Sequence, residues 1–477
     1  MKEAKRIWTS PLVERNASKE MAELFGAEKK FGTWRRIWLE LAKAQRKLGL
    51  KITQAQIKQM AEHLDDIDFD KAAEYERKTR HDVMAHIHTF ADAAPKARPI
   101  IHLGATSCCI TDNAELIIMR EALNIIAGKT AALINNLASF SKKYRAMPTL
   151  GFTHYQPAQL TTVGKRATLW CYDFVLDLEE LEKRIETLAF RGMKGTTGTQ
   201  AAYLELFEGN HNKVKALDKM IAKAFGFKNI CAVTGQTYTR KIDLLIINCL
   251  VSIAQSAHKM CNDIRLLANL KEIEEPFEKT QVGSSAMAYK RNPMRCERTT
   301  GLARFVISLA TSPVMTASEQ WLERTLDDSS NRRLVISEAF LATDGILEIL
   351  LNVTDGLAVY PKMIDAHIKA ELPFMATENI LMAVVMAGGD RQRLHEKIRR
   401  HSQEAAAQVK QKGKPNDLIA RLKADSDFAK VDFKAVLNPK DYIGRAPQQV
   451  DEFISDVVRP ILRKYRNQLN KKVELKV

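Results

Sequence analysis

Residues 240–270 read RKIDLLIINCLVSIAQSAHKMCNDIRLLANL. Apolar side chains recur there at steps of three and four residues, which is the period of one face of an α-helix. The main apolar face comprises Ile242, Ile246, Cys249, Ile253, Ala257, Met260, Ile264 and Leu267. Leu244, Ile247 and Val251 add a second apolar face. We therefore expect a helix of about 45 Å that packs among several neighbours.

Comparable helical patterns cover residues 112–143, 158–188 and 298–311. Long helices that pack side by side form a bundle. We predict an all-α protein with three helical domains, 1–110, 111–358 and 359–477, of which the central one is a bundle of long helices. No strand of consequence is expected. The apolar faces exceed what one chain can cover, so we expect several chains to associate through the bundle.

Charge and composition limit the kinds of partner that this protein can bind. Hydrophobic residues make up 45% and charged residues 27% of the 477, which is ordinary for a globular protein. The net charge is +16, but the cations are scattered, and the densest runs, at 463–466 and Lys471-Lys472, are interpreted as a solvated tail. A nucleic-acid binder would place cations in a stripe with aromatic residues between them, so no nucleic-acid partner is expected. A positive field suits a small polyanionic substrate.

The N-terminal segment, the most apolar segment and the cysteines favour a cytoplasmic location. Residues 1–6, MKEAKR, are charged, and no apolar signal segment follows them. The most apolar segment, residues 244–257, is expected to be too short and too polar to cross a bilayer, so no membrane partner is expected. The seven cysteines form no CxxC pair, which favours free thiols in a reducing compartment over disulfides or zinc.

Residues 280–294, TQVGSSAMAYKRNPM, interrupt the helical pattern. Gly283 frees the backbone, and Pro293 disfavours helix at the residue before it. We predict a mobile loop that carries hydroxyls, two cations and an amide. Closed over an anionic substrate, this loop would supply a proton acceptor and its electrostatic support. An ordinary polar connection between helices would have the same composition.

Further polar segments break the helices at 80–88, 102–107, 148–157, 191–200, 234–238 and 323–333. We expect Asp112 and Glu115 to form an acidic capping box at a helix start, and another helix to begin near Ala158. His154 lies in a predicted loop, where an unperturbed histidine can move a proton near neutral pH. N-caps, solvated loop residues and surface charges would explain each segment equally well.

No metal site is expected. The acidic run 65–70 lacks the Gly and the terminal Glu of an EF-hand and is interpreted as a helix start. The three histidines of residues 81–88 do not form HExxH.

Seven motifs in order resemble the adenylosuccinate lyase family of the fumarase/aspartase superfamily. They are RHDVMAH (80–86), HLGATS (102–107), GFTHxQPAQLTTVGKR (151–166), KGTTGTQ (194–200), TGQTY (234–238), GSSAMxYKRNPMR (283–295) and ERTLDDSxNRR (323–333). The resemblance covers essentially the whole chain. It implies β-elimination of fumarate from two nucleotide substrates of purine and AMP biosynthesis, adenylosuccinate (giving AMP) and succinylaminoimidazole carboxamide ribotide (giving AICAR). It also implies that no metal or organic cofactor is used, and a homotetramer whose active sites are shared between chains.

The resemblance also assigns residues. His154 would be the general acid, Ser284 the base, and Lys290 the cation that supports it. The residues implied to bind substrate are Arg15, Asn16, Arg80, His81, Asp82, Thr106, Ser107, Gln236, Asn292, Arg298, Arg324, Ser329 and Arg333. Among these, Arg15, Ser329 and Arg333 would bind the phosphate, with Arg298 and Arg324 nearby. Thr106, Ser107 and Gln236 would bind the succinyl part.

Two positions depart from the family pattern, which has Pro where this chain has Ala288 and Tyr where it has Asn16. Ala288 leaves the loop more conformations, and Asn16 removes a ring and a hydroxyl from the predicted site. Two alternatives remain open: another fumarate-releasing lyase such as an argininosuccinate lyase, or a helical scaffold without activity. The predicted phosphate cluster at 329–333 argues against the first.

Overall fold

The computed structural model describes residues 8–469, 473, 475 and 476. The charged start at 1–6 and the Lys471-Lys472 pair therefore lie outside the described residues. The chain is all-α, as predicted, with little strand.

The first half holds the α-helices α1 (Lys19–Leu24), α2 (Ala27–Lys47), α3 (Gln54–Glu62), α4 (Phe69–Thr79), α5 (Asp82–Ala93), α6 (Ser107–Lys143), α7 (Val163–Thr187), α8 (Ala201–Leu206) and α9 (His211–Ala224). The middle holds α10 (Lys241–Asn269), α11 (Met294–Ser308), α12 (Thr311–Ser318) and α13 (Asp328–Asp355). The last part holds α14 (Pro361–Met375), α15 (Thr377–Met386), α16 (Arg391–Lys412), α17 (Leu418–Ala424), α18 (Phe433–Val436), α19 (Ala446–Phe453) and α20 (Arg459–Lys464).

Short irregular turns and strands complete the chain. Leu12–Asn16 and Ile454–Val458 are π-helical, and Pro95–Ala97, Ser426–Phe428 and Pro439–Tyr442 are 3-10 turns. The strands are β1 (Pro148–Thr153), β2 (Gln156–Thr162), β3 (Ala189–Phe190), β4 (Asn229–Ile230), β5 (Ile273–Glu274) and β6 (Ala358–Val359). They pair as β1-β2 and β5-β6, both antiparallel, and β3-β4, parallel.

The β1-β2 hairpin corrects two predictions. Strands of consequence were not expected, yet residues 148–162 form a hairpin, and α7 begins at Val163 rather than near Ala158. The run Thr161-Thr162-Val163 is β-branched and suits a pleated strand as well as a helix start, so periodicity alone placed the boundary wrongly.

The start of α6 is a further correction. The helix begins at Ser107, with Thr106 as its N-cap, so Asp112 and Glu115 do not cap it. Asp112 is instead buried inside the bundle and pairs with Arg240. Local sequence could not distinguish a cap from a buried ion-pair partner, because the partner is 128 residues away.

The three longest helices, α6, α10 and α13, run in the same direction. Arg240, just before α10, bonds to Asp112 on α6 and to Asp328 at the start of α13. At the other end, the Asn136 side chain of α6 donates to the Leu351 carbonyl of α13 at 3.4 Å, and β5 after α10 pairs with β6 after α13. We call these the amino end and the carboxyl end of the bundle. Helix α7 runs the opposite way beside α10.

Helix α10 also corrects the membrane argument. Among the described residues it is the one helix that is long and apolar enough, by length and composition, to cross a membrane. The prediction that this segment is too short and too polar was therefore wrong. More than half of its most apolar window is buried against α7, α11 and α13, so its apolar sides are used in packing within the chain.

The described residues form two apolar cores. The larger core spans the N-terminal helices and the long bundle, and Trp34 and Trp38 are buried in it. The smaller core joins α15 to α18, with Ile380, Leu394 and Leu418 at its centre. The three domain ranges stay a prediction.

Candidate active site

Four predicted site residues meet at the amino end of the bundle. His81 is the N-cap of α5; its Nδ1 accepts from the Met84 amide at 3.3 Å, and its Nε2 lies 3.4 Å from Ser107 Oγ. Asp82 accepts from the Arg333 guanidinium at 3.0 Å. The segment 80–82 thus touches the starts of α6 and α13, which are remote from it in sequence.

Arg80 and Thr106 lie beside these contacts. Arg80 ends α4 in a left-handed conformation with φ of 55° and is exposed. Thr106 precedes α6, and its side chain makes no capping bond. The first amides of α6 are therefore not capped by this side chain, and an anionic group can accept from amides in this position.

Gln236, Arg324 and Ser329 lie at the same end. The Gln236 backbone amide donates to the Glu323 carbonyl at 2.9 Å, and the Gln236 side-chain oxygen faces the Cys108 thiol. Arg324 donates to Asp328 at 2.8 Å, and Ser329 lies in the first turn of α13. We call these nine predicted site residues the amino-end cluster: Arg80, His81, Asp82, Thr106, Ser107, Gln236, Arg324, Ser329 and Arg333.

A buried ion network supports the amino-end cluster. Arg240 is almost fully buried and donates to Asp328 at 2.7 Å and to Asp112 at 3.2 Å. Burial acts to raise the pKa of Asp112, but Arg240 and further arginines outweigh it and hold that pKa below its ordinary value. Arg332 forms a parallel link to Asp243 at 2.7 Å. These links join α6, α10 and α13 at one point.

Arg191 fixes two loops beside the same cluster. Its guanidinium is fully buried and donates to the carbonyls of Gly192 at 3.0 Å, Gly195 at 3.2 Å, and Gln236. The polar segment at 191–200 and the segment that carries Gln236 are therefore held together by one side chain.

The predicted loop at 280–294 lies at the carboxyl end and is not helical, as expected, up to Met294, where α11 begins. Ser284 Oγ accepts from the amides of Ala286 at 3.3 Å and Met287 at 3.1 Å. Two N–H donors on one oxygen favour its ionised form. We call residues 280–294 the signature loop.

The signature loop is closed at its base. The Asn292 side chain donates to the Gly283 carbonyl at 2.8 Å. Gly283 is buried, and a Cβ there would lie 2.2 Å from the Lys290 carbonyl oxygen, so only glycine permits this approach. The Lys290 side chain is exposed.

Glu275 connects the signature loop to α11. Its carboxylate accepts from the amides of Arg295 and Cys296, both at 2.9 Å, and so caps the helix. Burial raises the pKa of Glu275, against which these two amides act. The loop therefore begins and ends on fixed elements.

His154 lies at the tip of the β1-β2 hairpin, which follows the carboxyl end of α6. His154 and Tyr155 have φ of 54° and 56°, and both are exposed. Two successive positive φ values are those of a type I′ turn, in which Asn and Gly are the usual residues. This conformation was not predicted.

Arg15 and Asn16 lie in the π-helical turn that packs on α13. A Cβ on Gly345 would lie 2.9 Å from Asn16 Cβ, so the glycine admits this close approach. Burial lowers the pKa of Arg298, and Arg15 lowers it further, which places two guanidinium groups near each other. In one chain, Arg15 is thus associated with α11 rather than with Arg333.

The predicted residues consequently form two groups. Helix α10 has 29 residues, about 43 Å at 1.5 Å per residue, and separates Gln236 from the signature loop. Among the described residues, no hydrogen bond or ion pair joins His154 or the Ser284 side chain to the amino-end cluster.

Comparison with known proteins identifies the family. A lyase family model matches residues 16–308, and a model described as adenylosuccinate lyase C-terminus matches 373–453. Adenylosuccinate lyase of Saccharomyces cerevisiae is 53% identical over 468 residues, 97% of each chain. That of Schizosaccharomyces pombe is 52% identical, over 98% of this chain and 99% of the relative. This chain belongs to the adenylosuccinate lyase family.

More distant members of the family and of its fold agree. The Schistosoma mansoni adenylosuccinate lyase is 48% identical over 96% of this chain and 97% of its own length. A 3-carboxy-cis,cis-muconate lactonizing enzyme from Pseudomonas putida superposes with a TM-score of 0.80 at 19% identity, covering 96% of this chain and all of that chain. A fumarate lyase from Mesorhizobium superposes with a TM-score of 0.77 at 21% identity, over 94% of this chain. These two structures establish a shared fold.

Three features of the candidate site were not predicted from the sequence. They are Arg240 with its carboxylates, Arg191, and the strained hairpin tip. Arg191 stands in the motif RGMKGTTGTQ and could have been noticed as an arginine beside a glycine-rich loop. Within the described part of the chain, no group of three or more potential ligands could hold a metal ion. The expectation that no cofactor is used stays a prediction.

Proposed function

We propose that this lyase cleaves adenylosuccinate into AMP and fumarate, and the related succinylated imidazole carboxamide ribotide into AICAR and fumarate. The observation that carries the proposal is the environment of Ser284. Its oxygen accepts two backbone N–H bonds inside a non-helical loop that also holds Lys290 and Asn292. A serine supported in this way is suited to act as a base.

Ser284 takes the proton from the succinyl carbon beside a carboxylate. The electron pair left behind makes that carboxylate a dianion, which must be stabilised by cations and amide donors. Lys290 supplies the cation. The Asn292 amide carries two hydrogens and gives one of them to the Gly283 carbonyl, so the other is available to the dianion.

His154 completes the elimination as general acid. The carbon–nitrogen bond breaks as the electron pair forms the double bond of fumarate, and the departing nitrogen receives a proton from the imidazole. The exposed hairpin tip suits this role because it can enter a site formed by another part of the assembly.

The amino-end cluster binds the rest of the substrate. Thr106, Ser107 and Gln236 hold the succinyl carboxylates, and Ser329 and Arg333 hold the phosphate, with Arg324 nearby. Arg15 and Arg298 add positive charge from a second chain, because within one chain Arg15, in the turn that packs on α13, lies near Arg298 of α11 rather than beside Arg333.

The separation of the two ends supports a homotetramer with shared active sites. A symmetric pairing of antiparallel bundles places the amino end of one chain against the carboxyl end of another. Apolar side chains are exposed along α7 and α10, where a partner bundle would cover them: Leu169, Tyr172, Leu176, Leu245 and Leu266. All seven cysteines are free thiols and six of them are buried, which supports our proposal of a cytoplasmic protein.

The direct test is incubation of the purified protein with adenylosuccinate. We expect AMP and fumarate in equal amounts. When argininosuccinate replaces adenylosuccinate, we expect neither arginine nor fumarate. A folded double variant Ser284→Ala, His154→Ala serves as the control for contaminating lyase. Absence of turnover in the unmodified protein would favour the silent scaffold, and fumarate from argininosuccinate alone would favour the other lyase.

Sharing of the site is tested by subunit mixing. We expect the His154→Ala and Ser284→Ala proteins each to have little activity, whereas exchanged subunits would form sites that take His154 from one chain and Ser284 from another. We expect a fraction of the unmodified activity to return. If mass analysis confirms exchange and the mixture stays inactive, both residues act from one chain.

A further inference from the structure

Rigid helices hold the two ends of the hairpin that carries His154. The Val163 amide donates to the Met147 carbonyl at 2.9 Å, and so ties the start of α7 to the residue before β1. Gly164 packs directly on α6, since a Cβ there would lie 2.2 Å from the Ser141 carbonyl oxygen. The base of the hairpin is therefore fixed, whereas its tip is exposed.

The β1-β2 ladder is irregular between base and tip. Its register shifts between Leu150 and Phe152. Gly151 occupies the shift, and a Cβ there would lie 2.6 Å from the Gln159 carbonyl oxygen. An irregularity of this kind changes the direction of the residues beyond it, so the position of His154 depends on the shift.

Arg166, in the first turn of α7, reaches the hairpin at this shift. Its Nη2 donates to the Leu150 carbonyl oxygen, and its guanidinium carbon lies 5.9 Å from the centre of the Phe152 ring. Its Nη1 is buried and has no hydrogen-bond partner among the described residues. One side chain thus connects a rigid helix to both sides of the irregular point.

Two carboxylates act electrostatically on the guanidinium of Arg166. Burial lowers the pKa of Arg166, and Glu272 and Asp263 act in the opposite direction. Glu272 is fully buried between α10 and β5, and its Oε1 lies 2.8 Å from His367 Nδ1. A guanidinium whose Nη2 is bonded to a carbonyl and whose Nη1 is buried has little freedom, which suits a group that fixes a neighbouring strand.

We propose that Arg166 is a positioning residue for the general acid: by fixing the register shift of the hairpin, it sets where His154 lies. The inference rests on the proposed function of His154. His154 and Tyr155 adopt φ of 54° and 56° without glycine, and such strained conformations persist only when their surroundings determine them. A displacement of about 1 Å at a reacting group costs on the order of 10²-fold in rate.

The first test compares Arg166→Gln with Arg166→Lys by steady-state kinetics. We expect kcat to fall roughly 10- to 100-fold in Arg166→Gln, with KM nearly unchanged, because His154 acts only in the transition state. Arg166→Lys keeps the positive charge and a hydrogen-bond donor, so its kcat should lie between those of the unmodified protein and Arg166→Gln. Arg145→Gln is the matched control, since this guanidinium near the base of the hairpin is half exposed and pairs with Asp451 at 3.2 Å.

An unchanged kcat in a folded Arg166→Gln protein, or an equal fall in Arg145→Gln, would overturn the proposal. Circular dichroism and native mass establish folding and assembly. If Arg166→Gln does not fold, Arg166→Lys decides by the same criterion: a fall in kcat at constant KM supports positioning, and an unchanged kcat overturns it.

Subunit mixing separates positioning of His154 from general damage. Mixed with Ser284→Ala, Arg166→Gln should regain activity, because some sites then combine an intact hairpin with an intact Ser284. Mixed with His154→Ala, it should not regain activity, since both variants damage the hairpin. The His154→Ala and Ser284→Ala mixture serves as the reference. If it recovers activity, positioning is contradicted when the two Arg166→Gln mixtures recover equally or when neither recovers. If that reference mixture fails, site sharing is wrong, and the kinetic comparison alone decides the role of Arg166.

Discussion

The two ends of the bundle are built by different means. At the amino end, buried charges join three long helices, with Arg240 between Asp112 and Asp328. At the carboxyl end, Ser284 and His154 lie on an exposed loop and an exposed hairpin that backbone bonds and a few side chains support. The groups that we propose to bind substrate thus lie on a rigid frame, and those that we propose to transfer protons lie on exposed segments.

This difference matches the demands of an elimination. The substrate is an anion before and after reaction, so its binding groups can be fixed in advance. The charge that develops in the transition state must be met by groups that arrive with closure and exclude water. Substitutions at each end of the bundle test this difference.

Replacement of the proton-transfer residues should have the largest effect. Ser284→Ala or His154→Ala should lower turnover by roughly 10²- to 10⁴-fold, the range for a positioned acid or base. Initial rates with adenylosuccinate measure this directly, with folding checked by circular dichroism. Near-normal turnover in folded Ser284→Ala protein would remove serine from the mechanism.

Loss of the central arginine at the amino end should rank next. Arg240→Met leaves two buried carboxylates without their cation and should lower the free energy of unfolding by about 3–5 kcal/mol. Urea denaturation at matched protein concentration measures it. Arg36→Met is the control, because Arg36 makes an exposed pair with Asp65, and it should cost less than about 1 kcal/mol. Equal costs for both would mean that the buried network does not hold the amino end together.

A substitution in the amino-end cluster should affect binding rather than chemistry. If Arg333 binds the phosphate as proposed, Arg333→Gln removes a charged donor worth about 1.5–3 kcal/mol and should raise KM roughly 10- to 100-fold with little change in kcat. Arg36→Gln is again the control. A fall in kcat at constant KM would place Arg333 with the catalytic groups and remove the distinction between the two ends.

The smallest effect is expected in the signature loop. Ala288→Pro restricts the unfolded and open forms of the loop, so it should favour closure by about 0.4–1 kcal/mol, seen as a modest rise in turnover or slower proteolysis within 280–294. Unchanged rate and unchanged cleavage would show that Ala288 is neutral for closure.

The sequence alone determined the helices of the bundle and the family. Residues 240–270 have an apolar period that only a buried helix satisfies, and the structure places α10 at Lys241–Asn269. Gly283 and Pro293 likewise determined that the signature loop is not helical, because both act on the local backbone. The order of seven motifs identified the family, because each motif is a contiguous run of residues.

Tertiary structure decided what depends on residues distant in sequence. It placed Asp112 beside Arg240 rather than at a helix cap, and it turned Pro148–Thr162 into a hairpin because α6 and α7 fix both of its ends. It also separated Gln236 from Ser284 by the length of α10, which no local pattern reveals. Hydrophobic period and turn chemistry are properties of neighbouring residues, whereas ion-pair partners and the direction of helices are settled only when the whole chain packs.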